Sequence, residues 1–361
     1  MKIGFIDFID WDYNADTPYN KPLGGGQSAF AYLSAALAVR GHEVHLLTHT
    51  TRPGPFRGVQ CVSLEGLYEE DLKELGFDAI IVLNAAEALD LCLRIVGTST
   101  PLILWAQHAS DQPAMKSLGT PEARLGWNGV ACCSEFHRRQ FIQDFGLDED
   151  RTVNLGNAIG PAFESLFAPD EAITPHKSEP ILAYTSTPFR GLAYLLKAFP
   201  EIRARVPGTR LKVFSSMSVY NMGGAEDPYG DLYKQCQVMD GVEYVGSVAQ
   251  PVLAREMKSV RVLAYPNTFA EMQCISVMEA MAAGAHVVTS DFAALPETCA
   301  GFADLIPMSE PREYLARFAD TVVKALKQPP PERILKLRRQ FFVDRHSWSR
   351  RALAWEDWLK G

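Results

Sequence analysis

Short apolar runs alternate with longer stretches of helical period along most of the chain. Residues 2–8, 43–48, 79–83, 101–106 and 130–133 in the first half, and 181–184, 211–214, 262–265 and 285–289 in the second, are predominantly apolar. Strands of that kind are buried on both faces, the environment of a parallel sheet covered by helices. Residues 27–40, 192–199, 251–259, 307–328, 331–343 and 347–359 read as helices, the last of them aromatic and amphipathic. This alternation predicts an α/β fold with two doubly wound domains. Residues 160–179 are rich in proline and polar side chains without a clear period, and are expected to form the linker.

The stretch FAEMQCISVMEAMAAGAHVVTSD, residues 269–291, concentrates the candidate chemistry. It reads as loop, helix, turn and strand, with Gly284 ending the helix. Glu271 and Glu279 have seven residues between them. A helix starting near Gln273 turns its free N–H groups and positive dipole end toward Glu271, a seat for a phosphate. Glu279, about a turn and a half into that helix, suits a carboxylate that accepts two hydroxyls from a vicinal diol such as ribose. Glu271 then faces a second polyol, and two diols joined by a diphosphate describe a nucleotide sugar. The plain alternative is a solvated helix face.

Other loops carry candidates of their own. Gly24, Gly25 and Gly26 precede the helix at 27–40, and their amides suit a phosphate without any side chain. A dinucleotide fingerprint fits loosely as Gly24-x-Gly26-x-x-Ala29, but about fifteen residues separate the glycines from the first strand, and no acidic residue ends the second. The polar loop at 10–23 offers Trp11, Tyr13 and Tyr19 either as stacking faces for a sugar or as aromatics that pack the loop itself. Its Asp10-Trp11-Asp12 matches the D-x-D of metal-dependent transferases, a pattern short enough to recur by chance, and no metal is expected. Residues 223–229 form a second polar loop. Arg190 stands before Gly191 and a helix, where a guanidinium grips a diphosphate bidentately and neutralises a leaving group, or simply lies at a surface helix start. His108 follows the strand at 101–106, at the sheet end where parallel sheets bind ligands, or is a hydrogen-bonded structural residue.

Charge and cysteine usage narrow the classes. The net charge is −8, and residues 1–170 hold 12 basic against 22 acidic side chains, which argues against a nucleic-acid partner. Seven cysteines without a C-x-x-C pair indicate neither a disulfide framework nor a zinc site, and reduced thiols suggest the cytoplasm. No apolar run reaches membrane-spanning length, so at most peripheral membrane contact is expected. The opening residues carry Asp7 and Asp10 and read as a first strand, not a signal peptide.

The E-x7-E pair running into EAMAAG and a VVTS strand resembles the donor site of retaining GT-B glycosyltransferases of the family 4 type, the glycosyl transferases group 1. GGG followed by RGHEV, and VACCSE, are similar to that family's N-terminal domain, so the resemblance spans nearly the whole chain. It implies two facing Rossmann-like domains with the donor cleft between them: an acceptor-side domain at 1–170, a nucleotide-sugar-binding domain at 171–345, and a helix at 346–361 that returns to the first. It implies a metal-independent, retaining transfer from a nucleotide-diphosphate sugar to the hydroxyl of a glycan, lipid-linked, protein or small-molecule acceptor, with no cofactor. By resemblance Glu271 contacts the transferred sugar, Glu279 the ribose and Arg190 the diphosphate, while His108 positions the sugar. Gly24, Gly25 and Gly26 would touch the donor phosphate, and Val245 and Gly246 would read the base through their backbone. Gln273, Cys274 and Ile275 at the helix entry complete the implied donor contacts. The family commonly has an arginine where Thr185 stands and a lysine where Arg190 stands. One expected cation is therefore absent, and Ser186 and Thr187 are candidates for its place. An epimerase or phosphorylase shares this fold, and a nonenzymatic nucleotide-sugar-binding protein would use the same site.

Overall fold

A computed structural model describes residues 1–222 and 227–361. The chain forms two compact units: residues 1–18, 25–157 and 348–361 make the first, and residues 19–24 and 158–347 the second. The first unit's central segment ends at Asn157, short of the boundary expected at 170.

In the first unit the apolar runs become β1 (Lys2–Ile6), β2 (Glu43–Thr48), β5 (Ala79–Leu83), β6 (Leu102–Trp105) and β7 (Gly129–Cys132). Three short strands, β3 (Gly54–Phe56), β4 (Val59–Ser63) and β8 (Thr152–Asn154), widen the sheet to the order β3-β4-β2-β1-β5-β6-β7-β8. Only the β3/β4 pair in it is antiparallel. The strands β1 and β5 to β7 are buried nearly throughout, because helices cover both faces. The last helix, Trp348–Lys360, packs Trp355 edge-on against Trp105 at 5.1 Å, and Trp348 against Tyr32 at 6.0 Å.

The second unit holds a six-stranded, wholly parallel sheet: β9 (Ile181–Tyr184), β10 (Arg210–Val213), β11 (Val242–Tyr244), β12 (Val262–Tyr265), β13 (His286–Asp291) and β14 (Asp304–Pro307). Their order is β11-β10-β9-β12-β13-β14. Connections leave β9 and β12 in opposite directions, so the switch point of a doubly wound sheet lies between those two strands.

Several expectations need correction. Residues 160–179 are not a loose linker: they form the helix Pro161–Glu164 and a 3-10 turn at Thr174–Lys177, and bury Phe163, Phe167 and Ile173 in the second unit. Lys177 is also buried there, its Nζ donating to the Met257 carbonyl at 2.9 Å. Tyr13 offers no face to a ligand, since it is 1% exposed and its hydroxyl donates to Asp7 at 2.7 Å. The helix expected from 27 begins at Gly25, taking Gly25 and Gly26 into its first turn. The helix expected from 307 begins at Pro311, because residues 304–307 pair as β14 beside β13. Of the loop at 223–229, residues 223–226 lie outside the described residues.

Candidate active site

The second unit gathers its candidate residues at the carboxyl ends of β9 and β12. After β9, Thr187 leads into a 3-10 turn, Pro188–Arg190, and Tyr184 fastens it by donating to the Thr187 carbonyl at 2.7 Å. Gly191 follows at φ +118°, and a Cβ there would lie 2.1 Å from the Pro266 carbonyl oxygen. Only glycine permits this approach, and it brings Arg190 beside the loop that leaves β12. That loop is fixed by Asn267, which is fully buried. Its Nδ2 donates to the Phe269 carbonyl at 2.6 Å, its Oδ1 accepts from the Phe269 amide at 3.1 Å, and its carbonyl accepts from Ser290 Oγ at 2.5 Å.

Arg190 and Glu271 therefore meet. Arg190 Nη1 donates to Glu271 Oε1 at 2.7 Å and Oε2 at 2.9 Å, and Nη2 donates to Tyr220 Oη at 3.3 Å. The guanidinium lies 4.6 Å from the Phe269 ring centre and 5.4 Å from that of Phe189, cation–π contacts with two rings that are set edge to face at 5.5 Å. Its Nε is buried and has no partner among the described residues. Burial, the largest influence, lowers the Arg190 pKa, but Glu271 together with Tyr220, Tyr265 and Cys274 outweighs it and holds the guanidinium well above its ordinary value. Tyr265, the last residue of β12, donates from Oη to Glu271 Oε1 at 2.6 Å, and its hydroxyl lies 3.4 Å from Ser186 Oγ. Thr185 contributes its carbonyl, which accepts from Ser276 Oγ at 2.7 Å.

The helix expected near Gln273 runs from Ile275 to Ala282, so Gln273 and Cys274 stand just ahead of it. Burial pushes the Cys274 thiol well above its ordinary value, leaving it a neutral packing group. Glu279 sits five residues into this helix and is 3% exposed. Its Oε1 accepts from the Gly160 amide at 3.0 Å. Burial pushes the Glu279 carboxyl up to about 8, against the hydrogen bonds from Gly160 and the Gln250 side chain. Val245 and Gly246 follow β11, and both of their amides donate to the Val213 carbonyl, at 3.0 and 3.3 Å.

Gly24 belongs to the second unit, whereas Gly25, Gly26 and His108 belong to the first. His108 follows β6 half-buried, and its carbonyl pairs with His137 Nε2 at 2.9 Å. None of the three glycines adopts a positive φ. A Cβ on Gly26 would meet Asn84 and Gln107 at an ordinary 3.7 Å. Asp12, from the D-x-D pattern, accepts from the Thr51 amide and hydroxyl, both at 2.8 Å.

Residues 180–328 match the family model for glycosyl transferases group 1. Over 97% of this chain and 94% of the relative, the sequence is 26% identical to a phosphatidyl-myo-inositol mannosyltransferase from Mycobacterium tuberculosis (strain CDC 1551 / Oshkosh). A glycosyltransferase structure from Rickettsia africae superposes with a TM-score of 0.73 at 12% identity, covering 99% of this chain and 98% of that one. Anabaena Alr3699/HepE in complex with UDP and glucose superposes with a TM-score of 0.70 at 15% identity, covering 100% and 99%. At such identities the structural likeness is one of fold. The chain has the GT-B fold, and residues 180–328 carry its glycosyl transferases group 1 domain.

The sequence reading missed three neighbours of the acidic pair: Tyr265 on Glu271, Tyr220 on Arg190, and the Gly160 amide on Glu279. One signal was available for the first. The runs ILAY and VLAY both end in tyrosine, and the fold sets Tyr184 and Tyr265 edge to face at 5.7 Å across the switch point. Tyr220 and Gly160 are 30 and 119 residues from their partners Arg190 and Glu279, and only folding reveals them.

Proposed function

We propose that this enzyme moves a sugar from a nucleotide-diphosphate sugar to an acceptor hydroxyl, with retention at the anomeric carbon and without a metal ion. The observation that carries the reading is the pairing of half-buried Arg190 with buried Glu271, at the sheet's switch point and eight positions before a buried Glu279. In this reading Glu271 holds hydroxyls of the transferred sugar and Glu279 those of the ribose. Arg190 takes the diphosphate, with Ser186 and Thr185 at its side, and Gln273, Cys274 and Ile275 border the same region. Val245 and Gly246 flank the base. For His108 and Gly24 to Gly26 we keep sugar positioning and phosphate contact. The room for a Cβ beside Gly26 supports that role, because the fold itself does not demand glycine there.

The chemistry balances without a dedicated base. As the bond from the anomeric carbon to the diphosphate oxygen breaks, negative charge collects on that phosphate, where a guanidinium stabilises it most. The acceptor oxygen bonds to the anomeric carbon from the same face and gives its proton to the departing phosphate. The products are a glycoside and a nucleoside diphosphate. Among the described residues no helix is long and apolar enough to cross a membrane. All seven cysteines are unpaired and buried, which supports a reducing, cytoplasmic setting. The mannosyltransferase relative supports a lipid-linked acceptor within the wider class of glycan, protein or small-molecule hydroxyls.

Thermal unfolding across UDP, GDP, ADP and CMP sugars tests the donor reading, since a bound ligand raises the melting temperature. One base should stabilise the wild type and not Glu279→Ala; a flat panel rejects a nucleotide-sugar donor. With that nucleotide, Arg190→Ala should weaken diphosphate binding about tenfold or more while nucleoside binding is nearly unchanged. Equal losses on both would remove Arg190 from the phosphate. Turnover that survives a chelator, and a product with the donor's anomeric configuration, are the expected outcomes for metal independence and retention.

A further inference from the structure

The shortest contact to Glu271 comes from Tyr265, not from Arg190. A phenol O–H donating to a carboxylate at 2.6 Å is a charge-assisted bond. The ring that carries it is 1% exposed, packed edge to face on Tyr184 at 5.7 Å, and anchored by the strand next to the switch point. Glu271 itself stands on a loop, six residues beyond Tyr265, and loops do not fix a side chain as strands do. Of its two oxygens, Oε1 takes both Tyr265 and Arg190 Nη1, and Oε2 takes Nη1 alone.

We propose that Tyr265 is a positioning residue for sugar transfer. It pins the Glu271 carboxylate in one rotamer and, through that carboxylate, the Nη1 end of Arg190. This rests on the donor reading above, in which Glu271 faces the sugar and Arg190 the diphosphate. With Glu271 confined to Nη1, the Arg190 Nε has no hydrogen-bond partner among the described residues. Burial first, and the charge of Glu271 second, push the Tyr265 phenol well above 10, so it remains a donor over the whole working range.

The test is a double-mutant cycle between Tyr265→Phe and Glu271→Gln. Nucleoside diphosphate release is followed from whichever of UDP-glucose, GDP-mannose or ADP-glucose the wild type consumes. Tyr265→Phe keeps the ring and removes the hydroxyl. Its kcat should fall about tenfold, while nucleoside diphosphate affinity by calorimetry changes less than twofold. In the Glu271→Gln background the same change should have little further effect, because the group it positions is gone. Thr209→Val, which also loses a buried hydroxyl bond but stands just before β10, at the opposite end of the sheet from Glu271, serves as the packing control and should retain kcat. Wild-type kcat in Tyr265→Phe, or a loss that multiplies in full with that of Glu271→Gln, overturns the proposal alone. A wild type that neither binds nor consumes any of these donors overturns the proposal together with the reading beneath it.

Discussion

Glu279 is a carboxyl held mostly neutral at pH 7. Its value of about 8 lies above the ordinary 4.5, and burial is the main cause. A group raised on folding adds stability that is fully present below its unfolded value and is lost as pH rises through its folded value. The window for Glu279 is therefore about 4.5 to 8. Glu279→Gln keeps an acceptor for the Gly160 amide and removes the ionisation. Across that window the wild type should lose roughly 2–4 kcal/mol relative to the variant. Unfolding measured at closely spaced pH values checks this, and two parallel stability curves would show that Glu279 ionises as freely in the fold as in the unfolded chain.

The turn at 190–191 shows how one backbone position sets a site. Gly191 combines φ +118° with a 2.1 Å collision for any Cβ, so Gly191→Ala should cost about 3 kcal/mol or more in urea unfolding and should separate Arg190 from Glu271. A change below about 1 kcal/mol would mean that the loop at Pro266 yields. This turn was legible as a motif but not as a contact, since Pro266 lies 75 residues further on. The same limit explains which elements could be read. AIIVL, ILAY and VLAY are apolar at almost every position because both sheet faces are covered, and they became β5, β9 and β12. The strands β3, β8 and β14 have three or four residues, mixed burial and no apolar run. Their pairing comes from neighbours in the sheet, which local pattern does not encode. Residues 160–179 misled for a related reason. Phe163, Phe167 and Ile173 do anchor the segment, but at spacings that follow two short turns instead of one helix. The carboxylates, by contrast, were legible because Glu271 and Glu279 bracket a single local element, whereas Tyr265 and Tyr220 act from outside it.

At the scale of the whole molecule, the first unit is assembled from the two ends of the chain. Residues 348–361 belong with residues 1–18, and the apolar stripe Trp348, Ala352 and Trp355 recurs at helical spacing on the buried side of the last helix. Trp355 is fully buried against Trp105 of β6, and Trp358 lies so close to Gly129 of β7 that a Cβ there would meet its ring at 2.6 Å. The sheet of the first unit is thus covered by residues 348–361, and its core is incomplete without them. Trp355→Ala should cost roughly 3–5 kcal/mol, the range for removing a buried aromatic. The distribution of that cost is the sharper test. Amide exchange should speed up in β6, in β1, linked to Trp105 through Phe5 and Phe30, and in β5, whose Leu83 pairs with Trp105, and stay unchanged in β9 and β12, because units with separate cores open separately. Equal acceleration in both sheets would mean that the two units unfold as one cooperative body. The last helix would then stabilise β9 and β12 as well as the sheet it covers.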